Sequence, residues 1–596
     1  RGGAGVTPGF WFHEVPLAES GLDAGRSDVL ERLDPRIQHV GKWALSAGDA
    51  AAVADFDGDG RPDLFLTYPW KDPAHRGALY RNLGGHRFAR VALPALDAMA
   101  QNPETLGLAS GALWFDYDND GDSDLLVLVG YGPSVLLENR WAEERAFRDV
   151  TQTAGLGAYT ISLTANAWDF DRDGRTDLIL CNAFATELPG YDRPVRFNAF
   201  RLPPPEYPGD RRMFDFMHRT WHNADNGGGC VFYQNRGGGR FERREIGLAG
   251  RRWSLAVGTG DFNQDGWTDL YIANDFGPDQ LYLNEGGQRL RAVRGRLSGS
   301  LGRDTYKGMN SSIGDLDNNG WPDVYVSNVH ERLQAEGSLL WMNDGRVDTA
   351  GAAALNDEAM ARNALNEQRF GWGAALGDLD LDGRLDILQA NGHVDNTYDP
   401  LYPGCPDYWY WNDKIALTNP DNHGHADRWA DLRGRCIFPA EKNRVYWNRG
   451  RSFVDVAEAA GFARPGVYRA IALADFDNRG RLDAVVTSMV QPAALYRLEG
   501  ARGRWIGFDL RGDGVRCNAD ALGTQVVVET PAGRQVREVQ ASNGFSAQGD
   551  RRLLFGLGDA SGAVRVRIAW CGGVVREEFQ LEVGRYHLLR APANQK

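Results

Sequence analysis

The chain has 596 residues, 42% of them hydrophobic and 24% charged, and a formal net charge of −14. Its length exceeds what one core can hold and calls for two or more domains. The acidity argues against nucleic acid as a partner, which asks for clustered Lys and Arg, and no apolar run is long enough to span a bilayer.

The first residue is Arg1 rather than Met, which fits a chain whose signal peptide has been removed. Further along, an acidic loop written D-x-[DN]-x-[DN]-G-x-x-D starts at Asp55, Asp116, Asp169, Asp261, Asp315, Asp378 and again at Asp475. In the first copy Asp55, Asp57, Asp59 and Asp63 crowd together, with Gly60 for the turn. Such carboxylates repel one another unless a hard cation sits among them. Oxygen ligands at alternate positions beside a sharp glycine turn suit Ca²⁺. The equivalent sets are Asp116, Asp118, Asp120 and Asp124; Asp169, Asp171, Asp173 and Asp177; and Asp261, Asn263, Asp265 and Asp269. Asp315, Asp317, Asn319 and Asp323, then Asp378, Asp380, Asp382 and Asp386, complete them. Asn263 and Asn319 each remove a carboxylate and should weaken binding modestly. Arg479 stands where a ligand oxygen belongs, so the site of Asp475, Asp477 and Asp483 is expected to be weak or empty, leaving about six calcium sites. The negative charge thus reads as metal demand.

Each loop lies between a strand of small and apolar residues, such as Ala51 to Ala54, and one rich in branched and aromatic residues, such as Leu270-Tyr271-Ile272-Ala273. Helices would flank an EF-hand loop, so that rival is excluded. A third strand ends in Asn and a glycine turn, as in Leu79-Tyr80-Arg81-Asn82-Leu83-Gly84-Gly85, and a fourth opens with Phe, as in Phe147-Arg148-Asp149-Val150. Four antiparallel strands in each of seven repeats predict an all-β, seven-bladed β-propeller over residues 1–500. The seventh repeat lacks its Phe strand. Phe12-His13-Glu14-Val15 with Gly21-Leu22 matches that strand elsewhere, so residues 10–22 should close the last blade. Residues 503–594 alternate short strands with turns and read as a small β-sandwich.

Successive loops start 61, 53, 92, 54, 63 and 97 residues apart. The two excesses fall at about 183–229 and 394–443, between the second and third strands of their repeats, and should emerge on the end away from the acidic loops. They carry Phe214, Trp221, Tyr408, Trp409 and Trp411 among other aromatics. Such loops either pack on the propeller or wall an apolar pocket. Asn274, Asp275, His330, Glu331, His393 and Asp395 lie on shorter loops of the same end and would supply its polar groups. No G-x-S-x-G, H-E-x-x-H, dinucleotide fingerprint or P-loop is present. Six cysteines form three local groups, and an oxidised, exported protein would pair Cys181 with Cys230, Cys405 with Cys436 and Cys517 with Cys571. Buried free thiols are the alternative.

The repeats resemble the FG-GAP/VCBS repeats of integrin-α-like propellers. The segments Trp505-Ile506-Gly507-Phe508, Ala521-Leu522-Gly523-Thr524, Ser542-Asn543-Gly544-Phe545-Ser546-Ala547-Gln548 and Leu553-Leu554-Phe555-Gly556 resemble the ASPIC/UnbV domain of the CRTAC/UnbV family. Cys517 and Cys571 depart from that family's usual residues, which suggests a mutual disulfide. Bacterial members imply natural-product biosynthesis: a cofactor-independent cyclase, or an enzyme forming carbon–carbon bonds on a large aromatic or polyketide-type intermediate of the enediyne kind. The substrate would rest on Tyr408, Trp409, Trp411, Phe214, Trp221, Asn274 and Asp275. His330, Glu331, His393 or Asp395 would then act as general acid or base. The alternative is a non-catalytic, secreted, calcium-dependent binding or adhesion protein that offers the insertion face to a protein partner. Either reading expects a monomer in the extracellular space or periplasm.

Overall fold

The structure is a computed structural model that describes residues 7–22, 28–67, 73, 76–217, 226–293, 301, 307–331, 334–398, 404–408, 426–531, 533–560 and 562–593. Around the first acidic loop, strand Ala51–Ala54 pairs antiparallel with Asp63–Leu66, which pairs with Ala78–Asn82, which pairs with Phe88–Val91. Every residue of Asp63–Leu66 is buried, as expected of a short apolar run covered on both faces. The strands beside the later loops pair in the same sequence, and the chain is a β-propeller followed by a second β domain. Tyr468–Ala474, Asp483–Ser488 and Ala494–Glu499 take their fourth strand from the other end of the chain: Trp11 lies opposite Glu499 and Val15 opposite Leu495.

In six of the repeats, an asparagine in the third strand stitches the repeat to its neighbour. Its side-chain oxygen accepts from the turn, as Gly84 N donates to Asn82 Oδ1 at 2.8 Å. Its amide donates to the carbonyl of the second loop residue one repeat away: Asn139 to Phe56 at 2.8 Å, Asn235 to Tyr117 at 2.8 Å, and Asn284 to Phe170 at 2.9 Å. Asn343 to Phe262 (2.9 Å) and Asn448 to Leu316 (2.7 Å) continue the series, and Asn82 to Phe476 at 2.9 Å joins the first repeat to the last. The turn chemistry was legible in the sequence; the stitch was not. In the seventh repeat Leu498 occupies this position and offers only its backbone N–H, to Asp483 at 2.9 Å.

The C-terminal domain holds two sheets. Arg504–Arg511 lies between Leu553–Gly558 and Tyr586–Arg590, and Gln525–Thr530 and Val564–Trp570 form the centre of a four-stranded sheet. Their inward residues, among them Phe508, Val526, Phe555 and Trp570, share one core with Leu113, Phe115 and Leu178 of the propeller. The domain therefore packs against the acidic-loop end. Gly556 N donates to Asp378 Oδ2 at 3.0 Å, and Tyr586 donates its hydroxyl to Asp475 Oδ2 at 3.1 Å.

From this domain, residues 540–550 run into the hub of the ring. Gln540 donates to Thr259 O (2.8 Å), Ser542 N to Asn166 Oδ1 (3.2 Å), Asn543 Nδ2 to Ile313 O (3.0 Å) and Asp550 N to Leu473 O (2.8 Å). Ser546 O accepts from Ala51 N at 3.1 Å, and Gln548 pairs with both backbone groups of Trp114. Gly544 has φ +127° and lies so close to the remaining repeat that a Cβ would meet Ala374 O at 2.9 Å. That closeness and φ > 0 explain the glycine.

Candidate functional site

Two regions concentrate functional residues. In the acidic loops the first and ninth aspartates anchor the turn. Asp55 accepts from Gly60 N at 2.8 Å, and Asp63 from Asn82 N at 2.7 Å and Phe56 N at 3.1 Å. The later loops repeat this geometry, for example Asp386 with Asn448 N at 2.7 Å and Leu379 N at 2.9 Å. Asp55, Asp57 and Asp63 bring carboxylate oxygens within 4.8 Å of one another, as do Asp116, Asp118 and Asp124, and Asp169, Asp171 and Asp177. Asp315, Asp317 and Asp323, and Asp378, Asp380 and Asp386, do the same. In the fourth loop Asn263 instead donates to Asp265 at 3.0 Å and to Gly351 O at 3.1 Å.

Burial first, then mutual repulsion, pushes these carboxyls upward: Asp63 to about 8, Asp169 and Asp378 to about 7, and Asp315 to about 6. Asp116 rises to about 8 through burial and then Asp520 of the C-terminal domain. An all-oxygen donor set therefore waits for positive charge, and buried Asp378 Oδ1 and Asp171 Oδ1 lack any hydrogen-bond partner. Both observations fit Ca²⁺, which supplies the charge that lets the carboxyls ionise. The seventh loop is different. Arg479 donates to Asp483 at 2.8 Å, and the two ring nitrogens of His86 sit 3.0 Å from Asp477 and 2.8 Å from Asp483.

At the opposite end the two insertions and an N-terminal segment build one apolar cluster. Ala183, Phe197, Phe200 and Phe216 of the first insertion pack with Tyr408, Leu432, Ile437 and Phe438 of the second, and with Val29, Leu33, Ile37 and Val40. Their spacing along the N-terminal segment is helical, a signal the sequence carries. Cys181 and Cys230 face each other across paired strands at the root of the first insertion, Cys405 joins Cys436 within the second, and Cys517 joins Cys571 in the C-terminal domain. Arg211 pairs with Asp427 at 2.9 Å and links the insertions.

Beneath them lies an apolar cavity of about 150 Å³, walled by Trp43, Phe184, Trp253, Phe276, Phe370 and Trp372 among others, with Asp275, Lys307 and His393 as its ionisable lining. Phe184 and Trp253 meet at 4.4 Å between centroids, and His393 stacks on Phe438 at 4.6 Å. Burial, then Arg469 and Lys42, hold the imidazole of His393 well below its ordinary value, so it is neutral, and its Nδ1 has no partner. Burial pushes Asp275 up to about 7, against the pull of Lys307 and with that of Glu336.

Of the residues singled out from the sequence, His393 and Asp275 thus line the cavity. The other described ones are held elsewhere by contacts of their own. His330 Nδ1 accepts from Gln368 N at 3.1 Å. Glu331 accepts from the Tyr408 hydroxyl at 3.1 Å and lies beside Glu441, whose carboxyl is driven up by burial and then by Glu331. Asp395 binds Lys42 at 2.7 Å and Ile437 N at 2.6 Å, tying the N-terminal segment to the second insertion. Asn274 is consumed by Ser254 and Pro278, both at 2.8 Å, Tyr408 is buried in the cluster, and Phe214 lies under Arg211 at 5.6 Å. Trp221, Trp409 and Trp411 lie outside the described residues. Sequence reasoning missed Trp253, Phe370, Trp372 and Lys307, which reach the cavity from the repeats themselves.

The FG-GAP-like repeat family matches residues 55–127, 116–180 and 261–326, and the ASPIC and UnbV family matches residues 514–596. Cartilage acidic protein 1 of Mus musculus is 23% identical over 531 residues, 79% of this chain and 71% of that protein. Integrin alpha-7 of Homo sapiens is 29% identical over 160 residues, 23% of this chain and 12% of that protein. Among solved structures, BBS1N in complex with ARL6DN aligns with 10% identity and a TM-score of 0.39, over 82% of this chain and 97% of that one, too loosely to bear on the fold.

Proposed function

We propose that this chain, which carries FG-GAP-like repeats and an ASPIC and UnbV domain, is a seven-bladed, calcium-stabilised propeller that binds a compact small molecule under its insertions. One observation carries the reading: a cavity of about 150 Å³ whose wall is almost wholly aromatic and aliphatic, and which holds a neutral imidazole with an unpartnered nitrogen. A void of this size accommodates one ring or one headgroup, which is smaller than the polycyclic ligand the aromatic insertions suggested. Three disulfides are maintained in an oxidising compartment, so the protein works outside the cytoplasm, secreted or periplasmic.

The test is calorimetry of the calcium-loaded protein with benzene, phenol and small alkyl alcohols. Binding of at least one is expected in wild type and lost in Ala47→Leu, which fills the cavity from its lining. Equal binding by both proteins would sink the proposal. A catalytic reading, cyclisation or carbon–carbon bond formation, is favoured by His393 alone among the four acid–base candidates, because only it lines the cavity. General-base catalysis there predicts a loss of about 10²-fold or more in turnover for His393→Gln, and unchanged turnover of a cognate substrate eliminates the role.

A further inference from the structure

The aromatic clasp around His393 explains where the ring sits but not why it is an imidazole. Phe370 meets it edge-on at 4.2 Å between centroids, Phe438 stacks on it at 4.6 Å, and Trp372 stands edge-on at 6.2 Å. The residue is 3% exposed and lines the cavity, and among the described residues neither ring nitrogen has a hydrogen-bond partner. A phenyl ring would make the same contacts without burying an unsatisfied polar group, which costs stability. Native structures satisfy nearly all such groups, with protein, water or a bound molecule.

The charged side chains nearby are already committed. Arg469 donates to Gly392 O at 2.8 Å and lies over Trp372 at 4.1 Å, and Lys42 binds Asp395 at 2.7 Å. Lys307 pairs with Glu336 and also attracts Asp275. Arg469 and Lys42 disfavour positive charge on the imidazole, so a cationic guest is unsuited to it. A neutral imidazole offers one N–H and one lone pair, and a hydroxyl can donate to one or accept from the other. We propose that the cavity holds a compact neutral molecule of about one ring, its apolar body against the aromatic and aliphatic wall and a hydroxyl hydrogen-bonded to the imidazole of His393. The proposal rests on the small-molecule reading above and names the ligand class for that site.

Phenol and toluene are nearly the same shape and differ by the hydroxyl, so the ratio of their affinities isolates that group. Both are titrated by calorimetry into the calcium-loaded full chain and into its His393→Phe variant. Wild type is expected to bind phenol at least as tightly as toluene, whereas His393→Phe, which leaves the hydroxyl without a partner, should prefer toluene by about tenfold. The variant should melt no lower than wild type, because it removes the unsatisfied nitrogens. A second measurement needs no variant: in wild type labelled with ¹⁵N-histidine, phenol should move the ring nitrogen resonances of one histidine far more than toluene does. A phenol-to-toluene ratio that His393→Phe leaves unchanged, or imidazole resonances that answer both probes alike, overturns the hydroxyl assignment and leaves the cavity reading intact. Failure of phenol, toluene, benzene and the small alcohols together overturns both.

Discussion

The two ends of the propeller solve opposite electrostatic problems. The loop end gathers carboxylates that repel one another until positive charge arrives, and the C-terminal domain packs over them, with Gly556 N on Asp378 and Asp520 beside Asp116. The insertion end gathers aromatic rings, buries a neutral His393 and carries its few charges in pairs such as Lys42–Asp395. On the calcium reading proposed above, stability at the first end depends on an exchangeable ion. At the second it depends on covalent staples and hydrophobic contact.

Removing divalent cations is therefore expected to have the largest effect. Each site saturated about 100-fold above its Kd adds about 2.7 kcal/mol, so a chelator should lower the midpoint of a calorimetric melt by about 10 °C or more. An unchanged midpoint would refute ion-dependent loops. Next is Asn343→Ala, which leaves the buried Phe262 carbonyl without its donor. A cost of about 1–3 kcal/mol is expected in chemical denaturation, and a loss under about 0.5 kcal/mol would show that the stitch is idle.

The pH dependence sharpens the contrast. In the ion-free fold Asp63 and Asp116 hold protons up to about 8 and Asp261 and Asp315 up to about 6, whereas unfolded carboxyls release theirs near pH 4. The folded state binds more protons across that window, so ion-free stability falls as pH rises from about 4 to 8. Calcium displaces those protons, and the loaded protein should melt at nearly constant temperature over the same range. Parallel curves would remove the electrostatic argument. Smallest in energy is the double change His86→Ala with Arg479→Asp, which gives the seventh loop an oxygen ligand and frees Asp477 and Asp483. Elemental analysis should then find one additional calcium per chain; an unchanged count would show that the loop geometry, not its side-chain cations, excludes the ion.

What the sequence disclosed follows from periodicity. A nine-residue acidic pattern ahead of buried apolar runs marks loops and strands, and the Phe-x-x-Val pattern marks both Phe147–Val150 and the N-terminal strand Trp11–Val15. The local cysteine groups gave the disulfide pairs. The cavity was half legible. Aromatic insertions drew attention to the right end, yet Tyr408 and Phe214 went into packing because long loops need a core of their own. Phe184, Phe197 and Phe438 of the insertions share the cavity wall with Trp253, Phe370 and Trp372, residues far apart in the chain whose convergence no local pattern encodes. Residues 540–550 were visible only as a family signature, since their partners are single backbone groups on different strands.

Segments on both sides of the repeats take part in finishing the ring: Trp11–Val15 beside Ala494–Glu499, and 540–550 in the hub. During synthesis the early repeats leave the ribosome with neither rim nor axle in place. The wheel can be trued only once Asp550 has emerged. Until then the inner strand edges stand open to neighbouring chains, so the interval before residue 550 is made is when this protein most needs shelter from its own copies.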